Sequence, residues 1–312
     1  MKCAIIEPIG ATDKKILDFR KKLEHYNVEL KTYDSRPNSN QEIIERVKDA
    51  DMVIISNLPF SSVVINECKN LKMLSVAFTG CDHIDLNVCK ENNIIVSNSS
   101  GYSTNSVAEL AISLMIAVLR KIVWGDKKIR ELSTREGFLG TELKGKTLGV
   151  IGTGAIGLRL IEIAKAFGCK IIAYSRTKKE GIYYVGLNEL LSKSDIVSLH
   201  LPLNKETKHL INQEKLNLMK QESIIINTAR GGIIDNDALA KNLSNNLIAG
   251  AGLDSVDMEP PLEKNYPLLF SPNTIIVPHI GYATKEAINI RTEIVFENII
   301  RFLNNKIQNR VV

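Results

Sequence analysis

The chain has 312 residues, of which 44% are hydrophobic and 24% charged, as is ordinary for a globular protein with one large core or two medium ones. Its net charge of +5 comes from scattered basic residues and not from a basic stripe, which argues against nucleic-acid binding. No apolar run is long enough to cross a bilayer, and five dispersed cysteines without paired spacing favour a reducing, cytoplasmic location.

The first third of the chain alternates predicted strands and helices, the pattern of a parallel sheet that is covered on both faces. Strands are predicted over 2–7, 29–33, 52–55, 73–77 and 94–97, with helical periodicity between them, for example over 13–26 and 41–47. Ser39 and Asn40 both suit the N-cap of the second of these helices. One long apolar helix is then predicted over 104–123.

The rest of the chain repeats the alternation. Strands are predicted over 146–151, 170–174, 196–200, 223–228, 248–253 and 274–277, and an amphipathic helix over 285–304. Two α/β units that are joined by long helices imply two domains, and we expect a ligand-binding cleft between them.

A glycine motif lies between the strand at 146–151 and the helix that follows it. It reads Gly152-Thr153-Gly154-Ala155-Ile156-Gly157. In a strand–turn–helix–strand unit, such glycines permit a tight turn, a close approach of a pyrophosphate to the backbone, and close packing of helix and strand. The helix N-terminus adds free N–H groups and a partial positive charge. The motif therefore predicts a dinucleotide site, whereas the alternative is an ordinary glycine-rich turn.

The end of the second strand of this unit lacks the acid that usually binds the ribose 2′-hydroxyl of NAD. Ser175-Arg176-Thr177 stands there, 23 residues after Gly152. Ser175 removes the repulsion of a 2′-phosphate, and Arg176 supplies a planar cation that pairs with one. We therefore expect a preference for NADP(H), with NAD(H) as the other option. The alternative interpretation of Arg176 is a solvated surface cation.

Three residues with catalytic chemistry follow predicted strand ends of the second unit, where parallel sheets border their binding crevice. Arg230 suits the anchoring of a carboxylate, and His279 suits proton transfer to or from a carbonyl oxygen. Glu259 beside His279 would favour the imidazolium and fix its orientation. Each residue alone is an ordinary loop residue, but their combination beside a dinucleotide unit predicts redox chemistry on a small anionic carbonyl compound.

The chain resembles the D-isomer-specific 2-hydroxyacid dehydrogenase family over nearly its whole length. Besides the glycine motif, the resemblance rests on His200-Leu201-Pro202-Leu203, Ile226-Asn227-Thr228-Ala229-Arg230-Gly231, Ala251-Gly252-Leu253-Asp254, Glu259-Pro260 and Pro278-His279-Ile280-Gly281. It implies that Arg230 anchors the substrate, that Glu259 and His279 form the acid–base pair, and that Asp254 lies near the nicotinamide carboxamide.

The resemblance also implies further contact residues. Residues lining the cofactor site would be Thr104, Gly152, Gly154, Ala155, Ile156, Gly157, Ser175, Arg176, Thr177, His200, Pro202, Thr207, Thr228, Ala229, Asp254, His279 and Gly281. Thr79, Gly80 and Cys81 would bind the substrate carboxylate through backbone N–H groups, together with Arg230 and His279. The Cys81 side chain either is a small buried hydrophobe or touches the substrate.

The family fold implies an α/β protein of two doubly wound parallel-sheet domains, with a Rossmann cofactor domain inserted in a flavodoxin-like substrate domain. The substrate domain would comprise 1–102 and 283–312, and the cofactor domain 103–282. A homodimer is expected from the family, with the apolar helix after Thr104 either in the interface or packed internally. No metal is expected, because the histidines and cysteines lack ligand spacing.

The expected activity is hydride transfer between NADP(H), or NAD(H), and a small 2-oxo or 2-hydroxy acid of D configuration. Glyoxylate, hydroxypyruvate and branched 2-oxo acids are the candidate substrates. A phosphite dehydrogenase on the same scaffold is one alternative. Another is a corepressor-like module that senses dinucleotides, because fold alone does not decide function.

Overall fold

The computed structural model describes residues 1–136, 138–258 and 261–312. The chain divides into two compact units. The first unit comprises Met1–Ser103 and Ala283–Val312, and the second unit is Thr104–Tyr282. Each unit is an α/β layer structure with its own apolar core.

The described residues of the first unit form a parallel sheet of five short strands. The strands are β1 (Lys2–Ile5), β2 (Glu29–Thr32), β3 (Met52–Ile55), β4 (Met73–Val76) and β5 (Ile95–Ser97), in the order β2-β1-β3-β4-β5. Every residue of β3 and β4 is buried, as expected for central strands that are covered on both faces. This order is that of flavodoxin-like sheets.

Five helices of the first unit cover this sheet in the described residues. They are α1 (Asp13–Glu24), α2 (Asn40–Val47), α3 (Ser62–Glu67), α4 (Leu86–Glu91) and α11 (Lys285–Leu303). Ser39 caps α2 by accepting from the Glu42 N–H, so the first of the two suitable caps is used. Although α11 is far away in sequence, its Val295 and Ile299 are fully buried in the same core as Phe19 of α1.

The described residues of the second unit form a parallel sheet of six strands. These are β6 (Thr147–Ile151), β7 (Lys170–Tyr174), β8 (Ile196–Leu199), β9 (Ile224–Asn227), β10 (Gly250–Leu253) and β11 (Thr274–Ile276), in the order β11-β10-β9-β8-β6-β7. A single bridge between Ala173 and Tyr184 adds one further pairing to β7. The strand order reverses beside β6, and such a switch point is where open α/β sheets bind ligands.

The helices of the second unit flank this sheet. They are α5 (Thr104–Leu119), α6 (Ile122–Arg130), α7 (Ala155–Ala166), α8 (Leu187–Lys193), α9 (Gln213–Leu216) and α10 (Asn236–Ser244), with short 3₁₀ helices at Gly231–Ile233 and Pro267–Phe270. Most of α5 is buried against α7 and the sheet. Internal packing, rather than an exposed interface, therefore accounts for its apolar sequence.

The single helix that the sequence predicts over 104–123 is wrong, because the chain breaks between α5 and α6. Lys121 has left-handed backbone angles, with φ of 48°. The Leu119 carbonyl accepts a hydrogen bond of 3.1 Å from the Thr141 N–H instead of continuing the helical ladder. The returning chain thus ends α5, which no local pattern indicates. In the described parts of the chain, no helix combines the length and the apolar character that a membrane span requires.

Candidate active site

The turn between β6 and α7 is shaped by two of its glycines. Gly152 has φ of +98°, a conformation that L side chains rarely adopt, and a Cβ there would meet the backbone carbonyl of His200. A Cβ on Gly157 would meet the carbonyl of Gly152. These two positions therefore require glycine for the chain's own close packing.

Gly154 differs from these two glycines, because a Cβ there would have nothing within 4 Å. Gly154 is the N-cap of α7, and no side chain caps this helix. The turn therefore leaves open space in front of uncapped helix N–H groups. This is what a pyrophosphate requires, so the residues present fit a dinucleotide.

The loop that follows β7 carries the residues expected to contact the ribose. Ser175 is half-buried, whereas Arg176 and Thr177 are exposed. Arg176 Nη1 lies 3.5 Å from Glu206 Oε2, and both side chains are largely in solvent. Exposed pairs of this kind contribute little stability, so Arg176 can turn to another anion at small cost.

His200 follows β8 at the same edge of the sheet. A hydrogen bond of 2.9 Å joins its Nε2 to Ser198 Oγ, and burial of the imidazole lowers the pKa of His200 to about 4. Because of this low pKa, His200 is neutral near pH 7. Two residues further on, the Pro202 carbonyl accepts a hydrogen bond of 2.7 Å from Thr207 Oγ1, which closes the 202–207 turn.

This lowered pKa predicts an acid-sensitive fold. Because the folded-state pKa of His200 lies below the ordinary value of 6.5, protonation favours unfolding, and stability is lost as the pH falls from 6.5 towards 4. The free energy of unfolding should drop by about 2 kcal/mol more between about pH 7 and pH 5 in the unaltered protein than in His200→Gln. Urea titrations at both pH values measure this difference. Equal pH dependence of the two proteins would contradict it.

Arg230 lies three residues beyond β9, in a loop that is held by its own backbone and by Asn227. The Arg230 carbonyl accepts a hydrogen bond of 2.9 Å from Asn227 Nδ2, and Asn227 Oδ1 accepts one of 3.0 Å from the Ala229 N–H. A Cβ on Gly231 would collide with the Val256 backbone, so the next loop packs directly against this one. The fold therefore fixes the point from which the Arg230 guanidinium extends.

Thr228 follows β9 directly and is buried, and within the described residues its Oγ1 has no hydrogen-bond partner. Buried hydroxyls normally find a partner, so an orphaned one indicates a ligand group or a water at this edge. Together with the open space at Gly154, Thr228 supports a dinucleotide site along the carboxyl ends of β6, β8 and β9.

The buried carboxylate of Asp254 holds the turn that carries His279. Asp254 Oδ1 accepts from the Ile280 N–H at 2.7 Å, and Oδ2 from the Gly281 N–H at 2.9 Å. The Asp254 carbonyl accepts from the His279 N–H at 3.0 Å. His279 itself has left-handed backbone angles, with φ of 53°, which is uncommon outside glycine. Such strain persists where the surroundings fix it, and this is typical of functional positions.

The Glu259 of the expected acid–base pair lies outside the described residues, as does Pro260. The chain before them is anchored, because Asp257 Oδ1 accepts a hydrogen bond of 2.5 Å from Tyr266 Oη. Burial, followed by this hydrogen bond, raises the pKa of Tyr266. Tyr266 therefore acts as a hydrogen-bond donor here and not as a base.

In the first unit, the expected substrate loop follows β4. The Phe78 carbonyl accepts from the Ser99 N–H at 2.9 Å, and the Thr79 carbonyl accepts from Asn98 Nδ2 at 2.8 Å. Within the described chain, the N–H groups of Thr79, Gly80 and Cys81 have no intramolecular acceptor. The Cys81 side chain lies in the apolar core, and burial raises the pKa of its thiol to about 11.

Arg291, which sequence reasoning missed, is a buried cation beside this loop. Its Nη2 donates to the Ile9 carbonyl at 2.7 Å, and its guanidinium lies 5.3 Å from the Phe78 ring centroid and 5.8 Å from that of Tyr102. Arg291 sits four residues after the buried Ala287 and four before the buried Val295, so helical spacing alone places it on the apolar face of α11. The spacing of four residues to a buried neighbour on each side was the sequence signal that could have identified Arg291 as buried.

The fold therefore brings most of the expected second-unit residues to one sheet edge. Arg230, Asp254 and His279 follow three adjacent strands, β9, β10 and β11, and Leu253 and Asn227 end their strands in register. Gly152 and His200 follow β6 and β8 at the same edge, whereas Thr104 begins α5. Among the described residues, no group of three or more His, Cys, Asp or Glu side chains is arranged to hold a metal.

Comparison with known proteins identifies relatives of this arrangement. The sequence profile of the NAD binding domain of D-isomer specific 2-hydroxyacid dehydrogenases matches residues 112–281. A glyoxylate reductase of Thermococcus litoralis is 38% identical over 302 residues, which cover 92% of this chain and 90% of that protein.

Solved structures agree with the fold over the full length. An acyclic imino acid reductase in complex with NADPH and D-Arg has a TM-score of 0.91 and 34% identity, over 100% of both chains. The D-lactate dehydrogenase of Aquifex aeolicus, complexed with NAD and lactic acid, has a TM-score of 0.84 and 30% identity, over 98% of this chain and 96% of that one. The two parallel-sheet units thus match the architecture expected from the sequence.

Proposed function

Because the chain belongs to the D-isomer-specific 2-hydroxyacid dehydrogenase family, whose members are NAD(P)-dependent oxidoreductases, we propose that it interconverts a small 2-oxo acid and the corresponding D-2-hydroxy acid. The observation that carries this proposal is the set of three loops after β9, β10 and β11. They present Arg230, Asp254 and His279 at one edge of the sheet whose other strands carry the glycine turn.

Arg230 anchors and polarises the substrate in this proposal. Its planar guanidinium binds the substrate carboxylate with two parallel hydrogen bonds and draws electron density from the neighbouring carbonyl. The rigid Asn227 support keeps the backbone of Arg230 in place, so that the guanidinium is pre-oriented. In the first unit, we propose the backbone N–H groups of Thr79, Gly80 and Cys81 as donors to a substrate carboxylate.

His279 moves the proton in the proposed reaction. In the reductive direction, the imidazolium donates a proton to the carbonyl oxygen while C2 gains a hydride, so the carbonyl becomes an alcohol and His279 becomes neutral. A bound NADPH or NADH supplies that hydride and is oxidised. Asp254 holds the backbone beneath the ring, and Glu259 pairs with the ring to favour the imidazolium before transfer.

We propose NADP(H) as the preferred cofactor. Ser175 offers no carboxylate to repel a 2′-phosphate, and exposed Arg176 stands beside it with Lys178 and Lys179 on the same loop. We propose that the second unit, Thr104–Tyr282, which carries the glycine turn and this loop, binds the cofactor, and that the first unit binds the substrate. We also propose a cytoplasmic location, since all five cysteines are buried and unpaired.

The experiment that tests this function is a spectrophotometric screen of 2-oxo acids with NADPH and with NADH. Glyoxylate, hydroxypyruvate and branched 2-oxo acids form the main panel, and phosphite with the oxidised cofactors and an imino acid with the reduced ones form the comparison arms. Oxidation of NADPH with a 2-oxo acid is the expected result. Turnover of phosphite alone, or no turnover of any compound, would contradict the proposal, and faster turnover with NADH would contradict the cofactor preference.

We propose that the protein is a homodimer whose interface includes α6 and, after it, residues 131–136 and 138–139. Exposed apolar side chains here are Ile122, Val123 and Ile129 of α6, followed by Leu132 at 95% and Leu139 at 84% relative exposure. Trp124 and Phe138 stack with ring centroids 4.9 Å apart, so Phe138 packs against α6 while the neighbouring apolar side chains stay exposed. Several exposed apolar side chains close together in sequence favour a protein interface, and a second copy of the chain is the partner that the family makes us expect.

Charge placed in this segment should separate the dimer. Ile129→Asp combined with Leu132→Glu is expected to halve the molar mass measured by light scattering after gel filtration, because it buries two unpaired charges in the interface. Leu269→Glu, at another exposed apolar position, serves as the control and should leave the mass unchanged. A monomeric unaltered protein would contradict the proposal, as would a double variant that remains dimeric.

A further inference from the structure

A chain of hydrogen bonds joins the glycine turn to the loop after β7. The Lys179 N–H donates to Tyr184 Oη at 2.9 Å, and Tyr184 Oη lies 2.9 Å from Thr153 Oγ1. Thr153 Oγ1 in turn donates to the Thr177 carbonyl at 3.3 Å. Either hydroxyl can donate in the bond between Tyr184 and Thr153. If Tyr184 donates there, the Thr153 proton is available to the Thr177 carbonyl and all three bonds form together.

The backbone beside Tyr184 fixes the position of this hydroxyl. The Ala173 N–H donates to the Tyr183 carbonyl at 2.9 Å, and the Val185 N–H donates to the Ala173 carbonyl at 3.0 Å. This is the isolated parallel bridge on the outer side of β7. Thr153, at the other end, is 3% exposed inside the glycine turn. The two hydroxyls therefore connect the loop after β7 to the edge of the sheet, through Tyr184, and to the glycine turn, through Thr153.

The loop held in this way is the basic one. It is anchored at the Thr177 carbonyl and at the Lys179 N–H, and between and beside these anchors it carries Arg176, Lys178 and Lys179, all exposed. Exposed cations on an unanchored loop adopt many conformations. A ligand that binds them must order the loop, and the lost conformational entropy lowers the affinity. Fixing the backbone at two points removes most of that cost before a ligand arrives.

We propose that Thr153 and Tyr184 are positioning residues for selectivity towards a 2′-phosphorylated dinucleotide. Neither side chain contacts the phosphate in this proposal. They act by holding the 175–179 backbone so that its cations face the ribose 2′ position. The inference rests on the proposed preference for NADP(H), and it assigns part of that preference to two hydroxyl groups outside the basic side chains.

The test is the binding of two adenosine nucleotides that differ in the 2′-phosphate, measured by calorimetry without substrate or catalysis. The unaltered protein is expected to bind 2′,5′-ADP more tightly than 5′-AMP. Tyr184→Phe should weaken 2′,5′-ADP binding by about tenfold and leave 5′-AMP binding within about twofold, because only the 2′-phosphate depends on the loop. Tyr183→Phe is the matched control. The Tyr183 side chain is 65% exposed and lies outside the hydrogen-bond chain, so this variant should change neither affinity.

Thr153 provides a second, independent variant. Thr153→Val removes the hydroxyl at nearly constant volume and should reproduce the Tyr184→Phe effect, whereas Thr153→Ser keeps the hydroxyl and should restore selectivity. In steady-state assays, the KM for NADH divided by the KM for NADPH should be high for the unaltered protein and for Thr153→Ser. The same quotient should be lower for Thr153→Val and Tyr184→Phe. A merely structural role would instead lower the melting temperature and weaken both nucleotides alike.

The outcomes separate this inference from the cofactor preference on which it rests. Equal binding of 2′,5′-ADP and 5′-AMP by the unaltered protein would overturn the preference and the inference together. An unaltered protein that prefers 2′,5′-ADP, with Tyr184→Phe and Thr153→Val variants that keep this preference in full, would overturn the inference alone.

Discussion

Replacing His279 should reduce turnover by about 10²-fold or more, because the proposed reaction loses the group that donates a proton to the developing alkoxide. Two variants are needed. His279→Ala removes the imidazole but places alanine at φ of 53°, whereas His279→Asn removes it with a residue that tolerates left-handed angles. Since Asp254 binds the N–H groups of Ile280 and Gly281, the turn itself survives both changes.

Steady-state assays on the best 2-oxo acid of the screen measure this effect. Cofactor binding, followed by calorimetry, should stay within about threefold of that of the unaltered protein, since His279 acts mainly in the transition state. His25→Ala is the control, because His25 is exposed at the end of α1 in the first unit. Near-normal turnover in His279→Asn would mean that another group donates the proton.

Replacing Arg230 by alanine should also depress kcat/KM by about 10²-fold or more, because the substrate loses both its carboxylate anchor and a charge that polarises its carbonyl. The loop should survive, because the bond from Asn227 Nδ2 to the Arg230 carbonyl remains, although the bond from the Arg230 guanidinium to the Ala229 carbonyl is lost. Arg230→Lys keeps the charge without the planar fork, so it should recover only part of the loss.

The pattern of kinetic constants distinguishes the two roles of Arg230. Loss of the anchor alone would raise KM, whereas loss of carbonyl polarisation lowers kcat, and we expect both. Arg301→Ala is the control, because Arg301 is an exposed residue of α11 that pairs with Glu297 on the surface. An Arg230→Ala enzyme with unchanged kcat and KM would remove this residue from the mechanism.

Features with a local physical cause were predictable from the sequence. The strand–turn–helix around Gly152 was predictable because a tight turn and helix–strand packing require glycine at fixed spacing. The side-chain preference of helix N-termini indicated Ser39 or Asn40 as the cap, and Ser39 is the one used. The loop positions of Arg230 and His279 followed because hydrophobic runs end just before them.

Features that depend on returning chain segments were not predictable in this way. The break between α5 and α6 depends on Thr141, which comes back to the Leu119 carbonyl from 22 residues further along the chain. The hydrogen bonds of the Asp254 carboxylate and of the Tyr184 hydroxyl likewise join segments that are distant in sequence. No local pattern specifies these partners. The spacing of Arg291 indicated burial, but its aromatic neighbours are known only from the fold.

The return of α11 to the first unit has a consequence for synthesis on the ribosome. Val295 and Ile299 of α11 are completely buried beside α1, and the Val295 carbonyl accepts a hydrogen bond of 3.0 Å from Ser75 Oγ of β4. The first unit therefore cannot complete its core until α11 has been synthesised, which happens only after all of the second unit. The second unit is one continuous stretch of chain, so it can fold as a whole before that point.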